Sequence, residues 1–167
     1  MALEAFHFKQ FSVSHDRCAM KVGTDAVLLG AWAPVNPTIK SILDIGAGSG
    51  ILALMLAQRS NAELIDGLEI DGEAYEQCVT NFESSPWADR LFCYHASLKA
   101  FSNEIDIKYD FIISNPPFYN ATYTTNNESR NTASFEAAMP FNKLLESVRK
   151  LLSKNCLLYT SDAADEV

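Results

Sequence analysis

An α/β fold, a parallel sheet doubly wound with helices on both faces, is what this sequence predicts, on three observations. Short apolar runs of strand length alternate with helical patterns along most of the chain. A glycine-rich turn, Gly46-Ala47-Gly48-Ser49-Gly50, joins one such run to an apolar helix. Another run, Tyr109 to Ser114, stops abruptly at Asn115-Pro116-Pro117-Phe118. Open sheets of this kind bind ligands outside the carboxyl ends of their strands.

The elements follow in order. Phe6, Phe8, Phe11 and Val13 break strict alternation between 8 and 11, which fits a strand pair or a bulged strand. Asp16 to Gly23 is polar and turn-like. Thr24 or Asp25 is placed to cap a helix from Ala26 to about Ala33, with Val27, Leu28 and Trp32 inward, and Pro34 and Pro37 end it. Ser41 to Ile45 reads as a buried strand and Ile51 to Ala57 as a helix apolar on nearly every face. Glu63 to Ile70 is the next strand, Asp71 caps a helix to about Phe82, and Pro86 breaks the chain beyond it. Leu91 to Ala96 and Tyr109 to Ser114 are the third and fourth strands. Tyr119 to Met139 is rich in Asn, Thr and Ser and longer than ordinary connections, which suits a substrate lid or a mobile segment. Phe141, Leu144, Leu145, Val148, Leu151 and Leu152 keep helical spacing, and Cys156 to Tyr159 fits a fifth strand.

Bulk properties narrow the function classes. At 167 residues one domain is expected, with 48% hydrophobic and 20% charged residues. No apolar run reaches the roughly 20 residues that span a bilayer. Cys18, Cys78, Cys93 and Cys156 are widely spaced, and His7, His15 and His95 have no ligand rhythm, so reduced thiols, no metal and a cytoplasmic location are expected. A formal charge of −8 weighs against nucleic acid. Local basic clusters run the other way: Lys9, His15, Arg17 and Lys21 near the start, and Lys143, Arg149, Lys150 and Lys154 near the end.

The glycine turn brings backbone close to a ligand, and the helix after it offers free N–H groups to an anionic or polar group. Asp44 precedes the turn, and Glu69 ends the next strand, where an acid can accept both hydroxyls of a ribose. The spacing is G-x-G-x-G rather than the dinucleotide fingerprint. A nucleotide-binding dehydrogenase and a purely structural turn are the competing readings. At the other strand end, the Asn115 side-chain oxygen and the Pro116 carbonyl are two acceptors for the N–H groups of a planar amine. Pro116 and Pro117 restrict the backbone that carries them, and Phe118 offers a stacking face.

Ile42 to Ile70 resembles the S-adenosylmethionine site of Rossmann-like class I methyltransferases. Asn115-Pro116-Pro117-Phe118 matches the (D/N/S)-P-P-(Y/F/W) signature of amino-methyltransferases. Phe8 to Phe11, His15 to Asp25, Leu28 to Trp32 and Ser85-Pro86-Trp87-Ala88 resemble bacterial tRNA (adenine-N6) methyltransferases, which modify the adenine at position 37 of a valine tRNA. The resemblance implies S-adenosylmethionine as cofactor, tRNA as substrate and Asn115 to Phe118 as catalytic residues. It also implies that Lys21, Gly23 and Thr24 lie beside the cofactor, the Thr24 hydroxyl on its methionyl carboxylate. Asp44, Gly46, Gly48, Gly50 and Glu69 complete the cofactor set. Relatives usually carry an Asp after the third strand, where this chain has Ser97, so that contact is expected to be weaker or to be made through the backbone of Ala96 or Ser97.

The resemblance also divides the chain. Residues 1–39 form an N-terminal strand and helix extension packing on the cofactor site, and 40–155 the methyltransferase domain. Residues 156–167 read as an artefactual tail, because Cys156 to Glu166 resembles the translation of a transposon-end sequencing adapter. The domain is then expected to be C-terminally truncated, and the protein a monomer. Two alternatives stay open: glutamine N5-methylation of a protein such as a release factor, and a non-catalytic fragment that binds cofactor or tRNA.

Overall fold

The computed structural model describes residues 5–115 and 141–160, apart from the side chain of Phe141. β1 (Phe6–His7) and β2 (Ser12–Val13) pair antiparallel, so the broken alternation marks a strand pair. Five strands then build one sheet: β3 (Ser41–Ile45), β4 (Leu64–Glu69), β5 (Leu91–His95), β6 (Tyr109–Ser114) and β7 (Leu152–Thr160). Their order is β5-β4-β3-β6-β7, and every neighbouring pair is parallel. The chain winds outward from β3 to β5, then returns to the other side of β3 with β6. The strand order therefore reverses between β3 and β6, where such sheets open a crevice.

Helices cover both faces. α1 (Thr24–Trp32), α2 (Ile51–Arg59) and α3 (Gly72–Glu83) bury Leu29, Leu54 and Phe82 in one cluster with Ile42, Ile65, Phe111 and Ile113. α4 (Leu98–Glu104) and α5 (Phe141–Leu151) bury Phe101, Leu144 and Val148 in the other, with Leu43, Leu68 and Ile112. Neighbours such as Ile42 and Leu43 point to opposite faces, as the two-residue strand period requires. α2 buries every residue from Ile51 to Ala57. At roughly 1.5–3 kcal/mol for each large side chain, packing rather than propensity holds this short helix. Phe11, Val13, Ala33 and Ile39 share the first cluster, so the N-terminal residues are part of the same core.

Two expectations for α1 are corrected. Its N-cap is Gly23, whose carbonyl accepts from the Val27 N–H at 3.3 Å, and no side chain caps it. Its buried residues are Ala26, Leu29 and Gly30, whereas Leu28 is 40% and Trp32 64% exposed. The reason is the closeness of α1 to α2: a Cβ at Gly30 would lie 2.6 Å from Met55 Sδ. Only small residues, Ala26 and Gly30, fit along that line, so Leu28 and Trp32 turn outward, while Leu29 is buried beside them and Val27 partly buried.

α4 escaped the sequence reading because seven residues show little period. Its signals are Ser97, whose hydroxyl caps it by accepting from the Ala100 N–H, and the buried pair Leu98 and Phe101. β7 starts where α5 stops and continues through Cys156 to Thr160, pairing Leu157 with Phe111 and Thr160 with Ser114. The expected lid at 119–139 and residues 161–167 lie outside the described residues. No described helix is long and apolar enough to cross a membrane.

Candidate functional site

The crevice is built on the last register pair of its two central strands, Ile45 with Ser114. After β3 the backbone turns through Gly46, Gly48 and Gly50, at φ of 73°, 56° and 82°. The Gly46 and Ala47 N–H groups donate to the Leu68 carbonyl at 2.9 and 2.8 Å, pinning the turn to β4. The glycines have different reasons to be glycine. A Cβ on Gly50 would sit 2.6 Å from Phe82 Cε1 and 2.9 Å from Cys78 Sγ, so packing forbids one. Cβ atoms on Gly46 and Gly48 would meet nothing within 4 Å. Those two border open space, which is the side a ligand approaches.

Glu69 closes the turn from the end of β4. One carboxylate oxygen accepts from the Gly48 N–H at 2.7 Å, and the other from the Ile70 and Asp71 N–H groups at 2.9 Å each. Three backbone donors thus fix an acid at the mouth of the crevice. Asp44 lies beneath, fully buried, and neither of its oxygens has a hydrogen-bond partner. Burial pushes its pKa up to about 7; the Ala53 amide in the first turn of α2 opposes this without closing a hydrogen bond, and the Glu69 charge adds to it.

The segment from Ser14 to Gly23 crosses α3 and reaches the same mouth. Ser14 exchanges two hydrogen bonds with Asn81, and the Arg17 N–H donates to Gln77. Asn81 also donates to the Ser49 carbonyl in the glycine turn at 2.8 Å. Cys18 is buried near Glu69 and Asp71; burial first, then those charges, hold its thiol up to about 12. Lys21 Nζ folds back onto the carbonyls of His15, Asp16 and Cys18, so its ammonium braces this loop. Thr24 is exposed in the first turn of α1. Gly23 has φ of −117°, which any residue adopts.

Past β5, the Ala96 N–H is shared between the Glu69 and Tyr94 carbonyls, and the Ser97 hydroxyl is occupied as the cap of α4. His95 donates through Nε2 to the Ile70 carbonyl at 2.9 Å, and its ring stacks on Tyr75. Asn115 is half-buried directly after β6, beside the glycine turn. Pro116, Pro117 and Phe118 lie outside the described residues.

The structure therefore gathers Asp44, Gly46, Gly48, Gly50, Glu69, Ala96, Ser97 and Asn115 at the carboxyl ends of β3 to β6, with the Lys21 segment at their edge. Sequence reasoning missed Gln77 and Asn81. Their signal is two amides at helical spacing inside the otherwise apolar buried stripe of α3, Ala74, Cys78 and Phe82. Of the basic residues noted in the sequence, Arg17 pairs with Glu76 at 3.5 Å and Lys150 binds Asn103. Among the described residues no group of three or more His, Cys, Asp or Glu side chains is arranged to hold a metal ion.

Comparison with known proteins places this geometry. A family model described as "Methyltransferase small domain" matches residues 18–138. A Flavobacterium johnsoniae protein named tRNA1(Val) (adenine(37)-N6)-methyltransferase is 62% identical over 153 residues, covering 92% of this chain and 65% of that protein. A Bacteroides fragilis protein of the same name is 46% identical, covering 99% and 70%. The chain thus spans about two thirds of the length of the curated relatives it matches. Two solved structures share the fold. A conserved hypothetical protein of Streptococcus pyogenes has a TM-score of 0.61 at 16% identity, covering 82% of this chain and 74% of that one. A SAM-dependent methyltransferase of Geobacter sulfurreducens, in complex with S-adenosyl-L-homocysteine, has 0.57 at 18%, covering 83% and 47%.

Proposed function

The chain belongs to the methyltransferase small domain family and, within it, to the bacterial tRNA1(Val) (adenine(37)-N6)-methyltransferases, and from that premise we propose that it transfers a methyl group from S-adenosylmethionine to N6 of adenine 37 in a valine tRNA. The observation that carries this reading is the pairing of Ile45 with Ser114, which sets the glycine turn and Asn115 side by side. A donor site and an acceptor site then share one crevice.

The residues present fit the cofactor. Gly46 and Gly48 leave a cradle that a Cβ would narrow, and Glu69 is held where it can accept ribose hydroxyls. Asp44 keeps two unpartnered oxygens under the turn, suited to a cationic group or its water. When bound, S-adenosylmethionine supplies an electrophilic methyl on a sulfonium. Asn115 accepts a hydrogen bond from the exocyclic amine through its side-chain oxygen, and the Pro116 carbonyl accepts the other. With both N–H groups held, the nitrogen lone pair is drawn out of conjugation and aligned with the methyl. Phe118 stacks on the base, which leaves its loop to reach the crevice. The charge that builds on nitrogen is stabilised by the same two acceptors, and its proton departs after transfer. Lys21, Gly23 and Thr24 border the cofactor's methionyl end, and Ala96 and Ser97 its adenine. The reading carries with it two expectations: a cytoplasmic location, where tRNA is met, and a monomeric protein.

The test incubates the protein with labelled S-adenosylmethionine and either bulk tRNA or a release factor. Label in tRNA that digests to N6-methyladenosine supports the reading. Label on a release-factor glutamine replaces it with protein methylation, and binding without transfer to either reduces the chain to a binding module. Asn115→Ala is expected to lose at least about 100-fold in methylation while binding S-adenosylhomocysteine normally.

A further inference from the structure

We propose that Asn81 and Gln77 are positioning residues of the cofactor site: through their side-chain amides α3 holds the Ser14–Gly23 segment against the glycine turn, so that segment and cofactor bind as one unit. The inference rests on the reading that this crevice takes S-adenosylmethionine.

Both amides are 4% exposed and lie in the buried stripe of α3, where apolar side chains would pack without needing partners. Their partners are all outside α3. Asn81 Oδ1 accepts from the Ser14 N–H at 3.0 Å, while Nδ2 donates to the Ser14 carbonyl at 2.8 Å, a two-point clamp on one residue's backbone. The second Nδ2 bond goes to the Ser49 carbonyl at 2.8 Å. Ser49 lies between Gly48, which donates to Glu69, and Gly50, which caps α2. One turn along, Gln77 accepts from the Arg17 N–H at 2.9 Å, and Glu76 pairs with the Arg17 guanidinium.

Beyond Arg17 the segment reaches Glu69. Cys18 feels the charges of Glu69 and Asp71, and Lys21 ties the loop through three carbonyls. An amide that only filled the core would not bridge this segment and the glycine turn at once. Asn81 does, so any shift in its rotamer moves Ser49 and Ser14 together. One side chain thus couples the position of the segment to that of the turn.

The test uses S-adenosylhomocysteine as probe, measured by calorimetry and by trypsin cleavage after Arg17 and Lys21. Asn81→Leu keeps the branched heavy-atom shape and removes three hydrogen bonds; Gln77→Ala removes one. Binding is expected to weaken at least tenfold in Asn81→Leu and about threefold in Gln77→Ala, and ligand is expected to slow cleavage at both sites in wild type. A purely structural role would lower thermal stability yet leave the dissociation constant of the folded protein and the ligand protection unchanged, and that result overturns the proposal. Should Asn81→Leu fail to fold, Gln77→Ala and wild-type protection carry the test. A wild-type chain that binds no S-adenosylhomocysteine defeats the cofactor reading instead; faster ligand-free cleavage in Gln77→Ala then still marks the clamp on the segment.

Discussion

The Ser114 hydroxyl donates to the Ile45 carbonyl at 3.0 Å, across the last register pair of the two central strands. One residue later, one strand enters the glycine turn and the other reaches Asn115. This bond lies where the parallel pairing of β3 and β6 ends. It therefore fixes the separation of the two loops that a transfer reaction must bring together.

Glu69→Gln is expected to weaken S-adenosylhomocysteine binding tenfold or more and to lower stability by roughly 1–2 kcal/mol. The Glu69 carboxylate accepts from Gly48, Ile70 and Asp71. A carboxamide must aim its NH2 group at one of these donors, so at least one bond is lost. Calorimetric titration and urea denaturation read the two effects separately.

Gly48→Ala and Gly50→Ala are expected to separate binding from folding. Both glycines have left-handed backbone, worth about 1–2 kcal/mol against alanine. At Gly48 the methyl enters open space, so the protein folds and its affinity for cofactor falls. At Gly50 it strikes Phe82 and Cys78 as well, and the total loss should exceed about 3 kcal/mol. Denaturation midpoints for the two variants check the contrast.

Asp44 is expected to make the protein less stable as pH rises from about 4 to about 7. Its folded pKa of about 7 lies above its ordinary 3.8, so in that window the folded state holds a proton that the unfolded state has lost. Above pH 7 the buried charge exacts its full penalty. Asp44→Asn should match wild type near pH 4 and exceed it at pH 8 by up to about 4 kcal/mol. A slope from Asp66, raised to about 6, remains in the variant between pH 4 and 6.

Tyr109→Phe is expected to cost about 1–3 kcal/mol at pH 8 and less at pH 5. The Tyr109 hydroxyl donates to Asp66 Oδ2, while Oδ1 has no partner, so the variant strands a fully buried carboxylate. Burial raises the Asp66 pKa and the tyrosine bond lowers it; without that bond it climbs further. Protonation then relieves the charge at acid pH. Paired urea curves at the two values test the sign.

Much of the sheet was legible because local signals agreed. Ser41 to Ile45, Leu64 to Glu69 and Tyr109 to Ser114 are apolar runs bounded by turn residues, and Asp71 does cap α3 through the Ala74 N–H. α1 was misread because propensity says nothing about how closely a second helix will approach. The contact of Gly30 with Met55 decides which face is inward, and that contact spans 25 residues of sequence.

What the sequence by itself determined is the chemistry at each strand end: glycines where the backbone must turn left-handed, an acid closing β4, and an amide after β6. Those are local properties of residue type and order. The tertiary structure alone decided their company. Winding the chain outward from β3 and back to β6 places Asn115 beside a turn some 65 residues earlier. Packing α3 under the N-terminal segment made Asn81 a bridge between Ser14 and Ser49. Such partners are set by which surfaces bury together, and no spacing along the chain encodes them.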